Sequence, residues 1–280
     1  MFARMKIVAI AGLIVVMLAA FGFTPTAMAR EKVVMDGSTT VYPIAKAFAG
    51  YYMAKHPDVK VTVSGTGSGN GAKSLVQGSC DIACMSRFMK DKEFKMAIDD
   101  GIHPVFHTVA MDGIAVAVHP SNPVNGLTLE QLRKIYNGKI ANWNEVGGPN
   151  KDIVVISRDS TSGTFEVFGD LVLKGDRLTG GAERAASNAE VQQRVKTTQS
   201  AIGYLGLGYI EGVKAVAVNG VKPNVKTVGS GQYAIARPLF MVTNGYPALG
   251  SPEQAIVTMY LKPYGQEMIK DIGYVPVTQY

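Results

Sequence analysis

The sequence predicts an α/β protein of two domains joined by crossing strands. Three observations predict it. Short apolar or alternating segments lead into Gly/Ser/Thr-rich turns and then into helix-periodic stretches, repeatedly from residue 33 to residue 87, the pattern of a parallel sheet with crossover helices. The chain of 280 residues is long enough for one or two domains. No long linker interrupts it, so the domains are expected to be joined by strands crossing near residues 111–116 and 233–240.

Residues 1–29 read as a secretory signal. Arg4 and Lys6 precede an apolar run from Ile7 to Phe23, and Ala27-Met28-Ala29 has the A-x-A cleavage form. The competing reading is a single membrane anchor, for which this run is at the short end of the spanning range. Cleavage after Ala29 and export to a bacterial periplasm are expected. No cysteine lies near that site, so a lipid anchor is not expected.

A strand then opens the mature chain, and a Gly/Ser/Thr turn leads to a helix over 41–55, which His56-Pro57 ends. "VKVTVSG" (59–65) alternates as a strand. "TGSGNG" turns into a second helix, and "DIACMSR" (81–87) is a third strand ending in a polar pair. "MDGIAVAVHP" (111–120) reads as an apolar strand with no helix before it. A helix follows over 128–139 with a Thr cap and a Gly stop. "DIVVISRDSTSGTFEVFGDLVLKG" repeats strand, turn and helix. "AIGYLGLGYI" (201–210) is Gly-rich and apolar, 233–244 reads as another strand, and helices close the chain from about 252 to 271.

The net charge is +6, with Arg4 and Lys6 inside the signal. A mild positive balance fits an anion-binding surface. No Lys/Arg-rich block is present, so nucleic acid is not expected as a partner. The two cysteines, Cys80 and Cys84, either pair in an oxidising compartment or sit buried on a strand. The second reading is preferred, because strand spacing holds them too far apart to bridge.

Four polar turns each follow a strand: Ser38-Thr39-Thr40, Gly67-Ser68-Gly69, Ser86-Arg87 and Arg158 through Thr164. In an open α/β sheet such turns lie together at the carboxyl edge, where ligands bind. Three of them open a helix, and free amides at a helix start favour an anion. Taken singly, each is an ordinary Ser/Thr helix cap. Taken together with Arg158, whose guanidinium is a charged fork of donors, they read as a donor cluster for a small oxyanion, with Asp159 expected to brace Arg158.

"DGSTTVYPIAKAF", "GTGSGNGAKSL", "DIACMSR", "DGIAVAVHPSNPV", "LTLEQLRKIYNGKIANW", "RDSTSGTFEVF", "AIGYLGLGYI" and "GYVP" resemble the phosphate-binding proteins of bacterial phosphate ABC transporters. The resemblance covers essentially the whole mature chain, in order. It implies the type II periplasmic binding protein fold, with phosphate held between the domains and delivered to a membrane permease. The family's binding residues fall on Thr39, Thr40, Ser68, Arg158, Ser162, Gly163 and Thr164, and Ser86 matches by position. Domain one is expected to hold 30–112 and 236–280, and domain two 113–235. The protein is expected to be a monomer, not an enzyme, and to need no cofactor.

One departure stands out. Many members of that family carry a carboxylate near Ser86 that accepts a hydrogen bond from protonated phosphate and so excludes sulfate. Here the pair is Ser86-Arg87. Asp112, at the expected domain crossing, is a candidate replacement; the alternative is a turn or hinge carboxylate.

Other readings fare worse. Residues 67–74, "GSGNGAKS", miss the nucleotide loop G-x-x-x-x-G-K-S by Ala72. His103 and His107 share a face of an extended segment but lack a nearby Cys or acid cluster for a metal. A serine hydrolase lacks G-x-S-x-G, and a phosphoester hydrolase would need a nucleophile or metal. Sulfate, molybdate or tungstate would use the same turns without the acceptor. Trp143 is expected to pack a helix end, and Tyr204, Tyr209 and Tyr274 to form core or cleft wall.

Overall fold

The computed structural model describes residues 31–277; the expected signal peptide, residues 1–29, lies outside the described residues. The chain opens with β1 (Glu31–Gly37), α1 (Tyr42–Lys55), β2 (Val59–Val63), α2 (Ser68–Val76), β3 (Ile82–Met85) and α3 (Asp91–Asp99). The long strand β4 (Pro104–Val118) follows, then β5 (Gly126–Leu127), α4 (Leu129–Tyr136), β6 (Val154–Arg158), α5 (Gly163–Phe168), a π-helical turn over Gly169–Leu173 and β7 (Glu183–Ala185). The remainder is α6 (Asn188–Thr197), β8 (Ala201–Gly206), β9 (Lys214–Ala215), β10 (Ala217–Val218), α7 (Val225–Gly229), β11 (Ala236–Asn244), α8 (Pro252–Val257) and α9 (Pro263–Asp271).

One continuous sheet carries the order β2-β1-β3-β11-β4-β8-β6-β7, with β9 also on β4. β1 pairs in parallel with β2 and β3, and β6 pairs in parallel with β7 and β8. β4 joins these two halves. Its residues up to Gly113 pair with β11, and from Ile114 onward they pair with β8. The strand expected at 111–120 is therefore longer than the apolar run suggests, and "HPVFHTV" is its first half.

Helix α3 corrects the expectation that no helix precedes this strand. Its apolar residues Phe94, Met96 and Ile98 are exposed and only Ala97 is buried. Phe94, Ala97 and Ile98 do recur at the i, i+3, i+4 spacing of one helix face, but over only nine residues, too short a run to stand out from the apolar segment that follows. Helix α6 was not expected either, although Ser187 and Glu190 form a capping pair: Ser187 Oγ accepts from Glu190 N (3.1 Å) and Glu190 Oε2 accepts from Ala186 N (2.7 Å).

The first half-sheet packs α1 through Ile44, Phe48 and Tyr52 against Val33, Met35 and Ile82. The second is centred on Tyr136, Phe168 and Tyr204, with Phe168 and Tyr204 stacked at 4.0 Å between centroids. Trp143 is buried and donates its indole N–H to Ser200 O at 2.9 Å, so it packs rather than presents a platform. Cys80 and Cys84 are free and buried, and burial pushes the Cys80 thiol up to about 12. His107 is buried and bonded to Thr243 Oγ1 at 2.9 Å. The nucleotide-loop resemblance fails structurally: residues 68–76 are already helix, and Lys73 is exposed on it.

Candidate anion site

The four polar turns converge. Thr39 and Thr40 follow β1, Ser68 opens α2 after β2, Ser86 follows β3, and Ser162, Gly163 and Thr164 begin α5 after β6. All nine residues expected at the site meet there or directly beside it. Thr39, Thr40, Ser68, Ser86, Asp112, Arg158, Ser162 and Thr164 are each under a tenth exposed, and Gly163 is buried.

Contacts across the two half-sheets define the geometry. Thr40 Oγ1 and Thr164 Oγ1 share a hydrogen bond at 3.2 Å. Arg158 Nη2 donates to Thr39 Oγ1 at 3.2 Å. Ser68 Oγ accepts from Ser86 N at 3.1 Å and shares a hydrogen bond with Ser86 Oγ at 3.2 Å. A Cβ on Gly163 would stand 2.6 Å from Ser68 Oγ and 2.7 Å from Ser86 Oγ, so only glycine lets the start of α5 approach this pair. Ser162 Oγ caps that helix by accepting from Phe165 N at 3.2 Å, which leaves the first-turn amides of Gly163 and Thr164 without an intrahelical acceptor.

Two residues of the cluster escaped the sequence reading. Asn188, the first residue of α6, donates Nδ2 to both Thr39 Oγ1 and Thr40 Oγ1 at 3.0 Å. Its carbonyl oxygen accepts from Gly206 N at 3.2 Å, fixing which end of the amide faces the threonines. Arg237, on β11, donates Nη2 to Thr40 Oγ1 (3.2 Å), Thr164 Oγ1 (2.9 Å) and Asp112 Oδ2 (3.0 Å). The capping pair before α6 was a signal for the first. An arginine inside an apolar strand was one for the second.

The electrostatics are lopsided. Arg158 and Arg237 are 1% and 3% exposed, and among the described residues only one carboxylate, Asp112, is in hydrogen-bond contact with either. Burial pulls the Arg158 guanidinium down to about 10, with the charge of Arg237 adding to it and Tyr204 and Asp159 opposing. Arg158 Nη1 is buried with no hydrogen-bond partner among the described residues. Donors thus outnumber acceptors around three hydroxyl oxygens, and a buried positive charge is left over. Such an arrangement suits an anion.

Asp159 does not brace Arg158. It accepts from Thr161 N (2.8 Å) and Thr161 Oγ1 (2.6 Å), while Arg158 Nε and Nη2 are held by the carbonyls of Ala185 (3.1 Å) and Ala186 (2.9 Å). Arg87 is turned away from the threonines. It bonds Glu93 with both Nη atoms and meets Glu166 of α5 through Nε at 2.5 Å. Asp112 is wholly buried: Oδ1 accepts from Leu207 N at 2.9 Å and Oδ2 from Arg237. Burial pushes its carboxyl up from the ordinary value, and Arg237 and the Leu207 amide pull it back. Tyr209 and Tyr274 hold the threonine turn from outside, donating to Thr39 O and Thr40 O at 2.8 and 2.9 Å.

Asp36 organises the loop that presents Ser68. Its carboxylate accepts from Ser64 Oγ, Thr66 Oγ1 and Ser74 Oγ, each at 2.8 Å. Asp36→Ala removes three charge-assisted bonds from a group 9% exposed. The expected loss is roughly 2–4 kcal/mol, read as a fall of about 5–15 °C in thermal midpoint; an unchanged midpoint would show the loop is held by its backbone alone.

Comparison with known proteins gives the family. The family model described as "PBP superfamily domain" matches residues 24–262. The phosphate-binding protein PstS of Bacillus subtilis (strain 168) is 32% identical over 255 residues, covering 89% of this chain and 82% of that protein. PstS of Borreliella burgdorferi is also 32% identical, covering 89% and 91% respectively. An X-ray structure from Clostridium perfringens, assigned as a phosphate ABC transporter substrate-binding protein and solved with bound phosphate, superposes with a TM-score of 0.81 at 33% identity, covering 89% of this chain and all of that one. The chain therefore belongs to the PBP superfamily and, within it, to the family of the phosphate-binding protein PstS.

Proposed function

We propose that this protein binds inorganic phosphate in the periplasm and delivers it to the membrane permease of an ABC transporter. The observation that carries the reading is the buried donor excess: two arginines, one carboxylate and an unpartnered Arg158 Nη1 around the hydroxyls of Thr39, Thr40 and Thr164. A dianion offers acceptors to these donors and balances the excess positive charge. Ser68, Ser86, Ser162 and the Gly163 and Thr164 amides complete the ring. The ligand is held by dipoles and charge alone, so it is released unchanged, and the protein acts as a monomeric carrier rather than an enzyme.

The domains we assign are 30–112 with 236–280, and 113–235. The switch of β4 from β11 to β8 between Gly113 and Ile114 supports this division, as does the start of β11 at Ala236. Export would follow cleavage of residues 1–29. A ligand touching both domains favours the closed form by its differential affinity.

Titration calorimetry of the mature protein with phosphate, sulfate and molybdate, followed by a chromogenic phosphate-ester assay, tests the reading. Phosphate binding tightest, with no ester turnover, is expected. Sulfate binding as tightly would overturn it. Asp112 is assigned the role of acceptor for the phosphate proton. Asp112→Asn then narrows the gap between phosphate and sulfate, and an unchanged gap removes Asp112 from that role.

Closure has its own ion-pair latch. Glu166 of α5 bridges Arg87 Nε and Lys90 Nζ, both at 2.5 Å, from the other half-sheet. The Glu166 side chain is 16% exposed and Lys90 is 41% exposed, so solvent screening keeps the gain modest. Glu166→Gln should weaken phosphate binding about 3- to 10-fold and flatten its dependence on salt; an unaltered salt dependence would mean the latch does not sense closure.

A further inference from the structure

The donor set does not end with the turns that the sequence singles out. Asp112 and Arg237 are register partners on β4 and β11. They sit at the place where β4 leaves β11 for β8. The ion pair is thus built into the pair of strands about which the halves must move.

Arg237 reads both halves at once. Its Nη1 donates to Ser86 O at 3.3 Å in the first half, and its Nη2 reaches Thr40 there and Thr164 in the second. Nη2 carries two hydrogens, yet three oxygens lie within 2.9–3.2 Å of it: Asp112 Oδ2, Thr40 Oγ1 and Thr164 Oγ1. The two hydroxyl oxygens are the exchangeable acceptors. An anion oxygen placed between Thr40 and Thr164 takes the N–H, and each hydroxyl is freed to turn its own hydrogen toward the anion. Asp112 keeps Nε and fixes the direction of the fork.

We propose that Arg237 is a second ligand-contacting arginine, placed on the hinge strands so that it meets the anion only when Thr40 and Thr164 come together, with Asp112 as its positioning partner. This rests on the phosphate reading above. It assigns the coupling of binding to closure to one residue outside the polar turns.

The test uses calorimetry and the change in radius of gyration on adding phosphate, from small-angle X-ray scattering, with the mature protein. Arg237→Gln alone leaves Asp112 buried without its partner and endangers the fold. The informative variant is therefore the double change Asp112→Asn with Arg237→Gln, which removes both charges, alongside Asp112→Asn alone. The double variant should lose roughly 10- to 100-fold in phosphate affinity and compact less at equal saturation. Asp112→Asn alone keeps the arginine and should lose less phosphate affinity. Arg237→Lys should fall between the wild type and the double variant, because the charge remains and the fork does not. A double variant within about 3-fold of wild type, or one matched by Asp112→Asn alone, overturns the proposal while leaving the phosphate reading intact. Failure of the wild type itself to bind phosphate overturns both.

Discussion

Arg158→Gln lowers phosphate affinity by roughly 10²- to 10⁴-fold and leaves the thermal midpoint of the unliganded protein within about 3 °C of wild type. Two donors are at stake. Nη1 has no partner among the described residues, and Nη2 is shared between Thr39 and the Ala186 carbonyl. A hydrogen bond to a charged group contributes about 1.5–3 kcal/mol, so two of them set the range. The unliganded protein gains in one respect from the change. Burial lowers the guanidinium from its ordinary 12.5 to about 10, and at neutral pH the group is charged in both folded and unfolded states. Folding then carries the whole penalty of burying it, on the order of 3 kcal/mol, which is lost only as pH rises through 10 and beyond. Glutamine removes that penalty but loses the bonds to Ala185 and Ala186, and the two effects offset. Calorimetry and melting with and without phosphate check both halves. A variant that binds phosphate within a few-fold of wild type would move the site elsewhere.

This part of the site was legible in the sequence. Arg158, Ser162 and Thr164 lie in a strand-to-helix turn, where local composition announces both the cap and the donors. Thr39-Thr40 and Ser68 were legible for the same reason. Arg237 was not, because its meaning lies in its register with Asp112, 125 residues away in the chain. A charged residue within "IARPLFMVTN" gives no turn signal, and only the antiparallel pairing of β11 with β4 brings it to the cleft floor. Asn188 was hidden differently. Its helix is polar, with Val191 and Val195 as its buried apolar contacts, so periodicity was weak although the cap was present. Arg87 shows the limit of reading by position: it occupies a binding-turn position yet spends its charge on Glu93 and Glu166.

Gly163→Val should abolish tight phosphate binding, by 100-fold or more on the scale of core overpacking, without lowering the midpoint of the unliganded protein. The reason is steric and belongs to the closed form. Backbone strain is not involved, since Gly163 is not among the glycines with left-handed φ. A Cβ there meets Ser68 Oγ and Ser86 Oγ at 2.6 and 2.7 Å, and Arg87 Cγ at 3.1 Å. All three neighbours belong to the first half-sheet, while Gly163 belongs to the second. In the hinged molecule proposed above, the clash can be relieved by keeping the halves apart, a motion that a packed core does not have. Each added carbon in a closed contact costs about 1–3 kcal/mol, so Gly163→Ala should lose about 10-fold and valine more. The same substitution replaces glycine in the first turn of a helix by a residue of higher intrinsic propensity, alanine most of all. Unliganded stability is then unchanged or slightly raised, and only the stabilisation that phosphate confers disappears, because that term depends on the dissociation constant of the closed form. Melting curves recorded against increasing phosphate separate the two cases. A valine variant whose midpoint still climbs with phosphate as the wild type does would show that the start of α5 never approaches Ser68 and Ser86 in the bound state, and that the cleft grips its ligand half-open.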